Sequence, residues 1–143
     1  MIQDPTEFRV VALVNKALDP GLAMNAIAHL GMGLASIVGD SGREVMQFLD
    51  FADKTGGVHP SISARSLIVL RGSSNDIRSL RAAARGLSLP CVDFISTMTS
   101  GDFLSQLART RETAEDDIDY WGIAILGRSE DLKPLTRKYS LWR

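Results

Sequence analysis

The sequence predicts an α/β protein, a three-layer αβα sandwich around a mixed, mostly parallel sheet, and three features predict it. Apolar runs rich in β-branched residues recur at 8–14, 66–70 and 120–127, the composition of strands buried on both faces. Helically spaced apolar residues follow the first two runs after connections of ordinary βα length. Strands alternating with helices imply parallel neighbours covered on both sides.

Bulk properties agree with one compact unit. A chain of 143 residues fits a single domain, 1–143, long enough to bury about two thirds of its unfolded surface without staples. Residues 1–7 are polar, contain Pro5, and are expected to be loosely ordered. A hydrophobic fraction of 45% with 23% charged residues gives no compositional case for disorder. A net charge of −1 supplies no global field toward nucleic acid or an anionic membrane. The single cysteine, Cys91, excludes an internal disulfide and reads as a buried structural thiol in an apolar strand. The first residues show no secretory signal, and no apolar run approaches the roughly 18 residues that span a bilayer. A cytoplasmic protein without a membrane partner is expected.

The stretch 13–39 organises the prediction. Strand 8–14 ends at Asn15 and Lys16. Asp19 is placed to accept from the first-turn amides of a helix, and Pro20 suits its first position. Gly39 marks the stop. Residues four apart share a helical face, so Asn25 lies under His29, beside a stripe of Ala23, Ile27, Leu30 and Leu34.

Asp40, Ser41 and Gly42 read as a turn, 45–51 as a second strand near an edge, and 54–60 as a turn cluster with paired glycines before His59 and Pro60. After strand 66–70, Ser73 or Ser74 caps a helix carrying Ile77, Leu80, Ala84 and Leu87. A short strand over 89–95 follows, then a helix opened by Asp102, an acidic solvated loop over 112–119, strand 120–127, and a last short helix capped by Ser129.

Ligands of such sheets sit beyond the carboxyl ends of the strands. That rule puts Asn15, Lys16, Arg71 and Asp93 on one rim, with Gly21 at the helix N-terminus. His29 is either a structural helix histidine or a general base near neutral pH. His59 either meets it across the cleft or serves its own loop. Asp93 either orients His29 and polarises water or caps the following turn. Thr97 reads as a turn residue. The two histidines and Asp93 match no metal-ligand spacing. No Walker or dinucleotide glycine pattern occurs, so neither metal nor cofactor is expected. Arg128, Lys133, Arg137, Lys138 and Arg143 form either a solvated face or a tRNA backbone contact.

Several segments carry a resemblance: Gly21-Leu22-Ala23-Met24-Asn25-Ala26-Ile27-Ala28-His29, Gly57-Val58-His59-Pro60, Leu80-Arg81-Ala82-Ala83-Ala84, Pro90-Cys91-Val92-Asp93-Phe94, the ending Gly122-Ile123-Ala124-Ile125-Leu126-Gly127 with Leu135-Thr136, and Leu141. Across nearly its whole length the chain resembles an uncharacterised bacterial domain-of-unknown-function family grouped with the type-2 peptidyl-tRNA hydrolases. The resemblance implies that hydrolase fold, with a largely parallel mixed sheet between helices, and a homodimer. Gly21 and His29 keep the hydrolases' glycine-to-histidine spacing, but Leu22 stands where their signature lysine belongs. Asp93 and Thr97 keep the spacing of their aspartate and threonine. The reading is therefore a protein that binds an unknown small ligand or partner at the strand carboxyl-end cleft. The alternative is an ester hydrolase acting on peptidyl- or aminoacyl-tRNA, with Asp93 and His29 activating water, Asn25 positioning the carbonyl, and terminal lysines and arginines holding phosphates.

Overall fold

The computed structural model describes residues 4–143. Its elements are β1 (Phe8–Asn15), α1 (Pro20–Ile37), α2 (Gly39–Met46), β2 (Phe48–Ala52), β3 (Val58–Ser63), β4 (Leu67–Gly72), α3 (Ser74–Gly86), β5 (Cys91–Ile95), α4 (Phe103–Arg111), β6 (Tyr120–Arg128), α5 (Ser129–Thr136) and β7 (Ser140–Leu141). A five-stranded sheet runs β5-β6-β1-β4-β7, and β2-β3 form a separate hairpin.

β1 is the centre. Its alternate side chains supply two cores, as the two-residue period of a strand requires. Val11 and Leu13 pack with Ile77, Leu80 and Leu132 of α3 and α5. Val10 and Ala12 pack on the opposite face with Ala26, Leu30 and Leu34 of α1. The expected helix layers on both faces are therefore present.

The sheet is mixed, but the expectation of mostly parallel strands is corrected. Among the described residues only β1 and β4 pair in parallel; β1-β6, β5-β6 and β4-β7 are antiparallel. The cause is the connection between β5 and β6. A parallel return needs a helix that crosses and covers the sheet, whereas α4 buries no residue. The chain makes an excursion at one end and comes straight back.

Three further expectations change between α1 and β4. The turn at Asp40, Ser41 and Gly42 is instead the start of α2, because Gly39, at φ +66°, redirects the chain and a new helix begins at once. The strand over 45–51 begins only at Phe48, since Val45 and Met46 close α2. The cluster over 54–60 is half strand: Val58, His59 and Pro60 lie in β3. Among the described residues the hairpin pairs with no other strand, so the proline removes no ladder bond from a central strand. Its turn is built by Asp53, whose carboxylate accepts from the Thr55 N–H at 2.8 Å and the Gly57 N–H at 3.0 Å.

Helix starts divide in the same way. Asp19 occupies the cap position of α1 but its side chain bonds no first-turn amide, leaving Pro20 as the start signal. Ser73 caps α3 in a full capping box with Asp76, and Asp102 caps α4 through the Ser105 N–H. Ser129 is the first residue inside α5, with Arg128 at the cap position. The predicted loose ordering of 1–7 lies partly outside the described residues; within 4–7, the Ser129 N–H donates to the Glu7 carbonyl at 2.8 Å and Arg65 donates to the Asp4 carbonyl at 2.6 Å.

Packing of α2 against the end of α1 makes a clear stability prediction. A Cβ at Gly42 would lie 2.3 Å from the Val38 Cβ, and Val38 belongs to the α1-side core. Gly42→Ala should cost about 1–3 kcal/mol by overpacking. Gly31, inside α1 with open space around its Cβ position, should behave oppositely, Gly31→Ala stabilising by roughly 0.5–1 kcal/mol. Urea unfolding of both variants checks the pair; equal signs would contradict it.

Candidate functional site

β1, β4 and β5 all run in one direction, since β6 opposes both β1 and β5. Their carboxyl ends therefore share a rim, as expected. The proposed catalytic residues do not meet there. Phe94 joins the α1-side core, so Asp93, its neighbour on the strand, faces the other way. Its carboxylate accepts from the Arg81 guanidinium of α3 at 3.0 Å. His29 stands on the opposite side of the sheet, stacked flat on the Phe94 ring at 5.1 Å. Asn25, one turn earlier on α1, is exposed with it. Thr97 is buried, and its hydroxyl bonds that of Thr110 at 2.7 Å. His59 lies on the hairpin, 3.3 Å from the Asp53 carboxylate.

Asn15 holds the rim together. Its buried amide donates to the Tyr120 carbonyl at 2.9 Å and its oxygen accepts from the Ala17 N–H at 2.9 Å. One side chain thus ties the end of β1 to the start of β6 and shapes the turn into α1. The Lys16 N–H still donates to the Gly72 carbonyl at 2.9 Å, so ladder geometry continues one residue past β1. Gly21 is exposed in the first turn of α1. Cys91 is half-buried rather than buried, and this partial burial pushes its thiol up, which lowers its reactivity.

A different group of residues converges. Beyond β1 and β4 lies an open cleft of about 800 Å³ lined by Lys16, Arg71, Asp76, Lys138, Tyr139 and Arg143, among others. Four cations surround one carboxylate. That carboxylate is already engaged: the Ser73 N–H donates to Asp76 at 2.8 Å. This backbone hydrogen bond holds the Asp76 carboxyl below its ordinary range, with Lys138 and Lys16 adding attraction and partial burial opposing. Ion pairs among the described residues join His59 to Asp53, Arg78 to Glu115, Arg81 to Asp93 and Arg128 to Glu7. None uses Lys16, Arg71, Lys138 or Arg143.

The sequence pointed to this cleft only in part. Lys16 and Arg71 follow from the strand-end rule. Lys138 and Arg143 were visible as terminal cations, but their place depends on β7, whose two residues pair with Leu70 and Arg71. No periodicity announces so short a strand. Arg128, Lys133 and Arg137 lie elsewhere, in a shallow cleft shared with Glu7 and Glu130. Among the described residues, no group of three or more His, Cys, Asp or Glu side chains is arranged to hold a metal, and no helix is long and apolar enough to cross a membrane.

Fold and cleft together define an α/β protein with a mixed five-stranded sheet and a cationic cleft at one end. The chain belongs to the family described as "Protein of unknown function (DUF2000)", which matches residues 8–143. It is similar in fold to the solved structure of Atu0240, a protein of unknown function from Agrobacterium tumefaciens: the TM-score is 0.78 at 16% identity, over 96% of this chain and 98% of the other. No curated protein matches.

The capping box yields a pH prediction. Because the folded pKa of Asp76 is depressed, its contribution is fully present above the unfolded carboxylate value and is lost as pH falls through the folded one. Asp76→Asn removes that dependence while keeping an acceptor for the Ser73 N–H. Urea unfolding measured at neutral pH and again from about pH 5 downwards should show the wild type losing stability more steeply than the variant. Parallel slopes would refute the linkage.

Proposed function

We propose that this chain is a binding protein on a scaffold of the type-2 peptidyl-tRNA hydrolase kind, taking a small phosphate-bearing molecule in the cleft beyond β1 and β4. The observation that carries the reading is the convergence of Lys16, Arg71, Lys138 and Arg143 on one concavity with no ion-pair partners among the described residues. Like charges brought together from three parts of the chain repel one another, so their grouping favours an anion between them. Arginine supplies a planar fork that matches phosphate geometry, and lysine a mobile point charge.

Binding is preferred to ester hydrolysis on geometric grounds. A general base acts within hydrogen-bond reach of the groups it serves. Here His29 and Asp93 occupy opposite faces of the sheet, Asp93 is paired with Arg81, Thr97 is tied to Thr110, and Leu22 stands in the place of the signature lysine. A small ligand is preferred to tRNA because the cations line a cleft rather than a broad stripe and the net charge is −1.

Calorimetric titration with inorganic pyrophosphate tests the reading. Binding should weaken as salt is raised, and Arg71→Ala and Lys138→Ala should each weaken it about tenfold, near the value of one charge-assisted hydrogen bond. Absence of binding at low salt would refute it. Turnover of peptidyl-tRNA that His29→Ala abolishes would replace it with the hydrolase reading.

The homodimer is also proposed. It is supported by apolar side chains exposed together on the hairpin, where Leu49 pairs directly with Ile62 and Phe51 and Val58 lie nearby; unsupported apolar patches favour association. Light scattering should give twice the chain mass and Ile62→Glu the monomer mass; a monomeric wild type would dismiss the pairing.

A further inference from the structure

An apolar groove adjoins the cationic cleft. α1 lies over β1, β6 and β5, while the α1-facing side of β4 is left without a helix: Val69 is only half-buried and Leu67 is exposed. Between α1 and this bare strip runs a groove of about 560 Å³, lined by Val14, Ala23, Met24, Ile27, Val69 and Trp142, among others. Trp142 is placed there by its N–H, which donates to the Val69 carbonyl at 2.9 Å.

Groove and cleft are neighbours along the strands. Residues two apart on a strand share a face about 6–7 Å apart. Val69 in the groove is thus followed on the same face by Arg71 in the cleft. Val14 is followed likewise by Lys16.

We propose that the ligand is an amphiphile, a phosphate monoester bearing a hydrocarbon chain, with its phosphate among Lys16, Arg71, Lys138 and Arg143 and its chain in the groove. This rests on the proposed function and specifies its ligand. Charge complementarity fixes the head: four cations and one engaged carboxylate suit a dianion. The groove fixes the tail. Its side chains are apolar except for the Trp142 indole N–H, so a nucleobase would lose water from its polar edge without gaining partners, whereas a hydrocarbon loses nothing. The volume is in the range of a site for one small molecule, which favours a free ligand over a membrane surface.

The test compares inorganic phosphate with butyl, hexyl and octyl phosphate, below micelle formation, by calorimetry on the full chain. Affinity should rise with chain length, by up to about fourfold per methylene buried. Ala28→Gln, a neutral change at an exposed α1 position that lines the groove and not the cleft, should abolish the dependence on chain length and leave phosphate binding unchanged. Trp142→Ala should weaken octyl phosphate at least tenfold more than phosphate. Equal affinity across the series, or a chain-length dependence that survives Ala28→Gln, overturns the inference while leaving the anion cleft standing. Capture by anionic lipid vesicles without binding of monomeric octyl phosphate overturns it in favour of a membrane surface. Octyl phosphate binding without any phosphate or pyrophosphate binding would instead sink the cleft reading and keep the groove.

Discussion

Burial of β1 on both faces is the constraint on which the rest of the molecule depends. From Val10 to Asn15 every residue is sealed from solvent, and strand geometry sends successive side chains to opposite sides. Each side then needs its own apolar layer, met by α1 on one face and by α3 with α5 on the other. β1 must also be paired along both edges, because a buried backbone group without a partner is costly. β6 and β4 meet that demand.

The two helix layers do not cover the sheet equally. α1 seats closely on β6 and β5: a Cβ at Gly122 would come within 2.8 Å of the Leu30 side chain, and one at Gly33 within 3.0 Å of Val92. Having committed α1 to that half, the fold leaves the same side of β4 bare. The apolar groove and the charged rim beside it are therefore the uncovered remainder of the sheet, and its carboxyl-end position is where chain direction gathers the ends of β1 and β4.

How far this was legible in the sequence depends on the range of the forces involved. β1, β6, α1 and α3 announce themselves through composition and spacing, which are local. The hairpin's second strand does not, since Gly56, Gly57 and Pro60 are turn signals whichever side of the turn the strand occupies. Strand direction was misjudged because α4 has helical sequence yet buries no residue and packs beside the 96–98 turn rather than across the sheet, and sequence does not reveal whether a helix crosses a sheet. The arrangement of the candidate residues was not legible at finer grain. Asp93 and Thr97 have a spacing that resembles a catalytic pair, but one step along β5 separates Asp93, on Arg81, from Phe94, on His29. A register of one residue decides which side of the sheet a carboxylate serves.

The cationic cleft exists only where the end of the chain is docked. Lys138 and Arg143 flank a strand of two residues, held by pairing with Leu70 and Arg71 and by the Trp142 bond to Val69. Against that small ladder stands the mutual repulsion of four cations, partly offset by Asp76. An anion in the cleft would reverse the balance, turning the charges from a force that lifts β7 away into one that clamps it. A molecule that binds this folded edge but not the undocked chain must stabilise the edge by the logic of linkage, and a hydrocarbon tail against Trp142 would act on the same strand. Ligand and strand would each complete the other's site, since two of the four cations lie on either side of so short a terminal element.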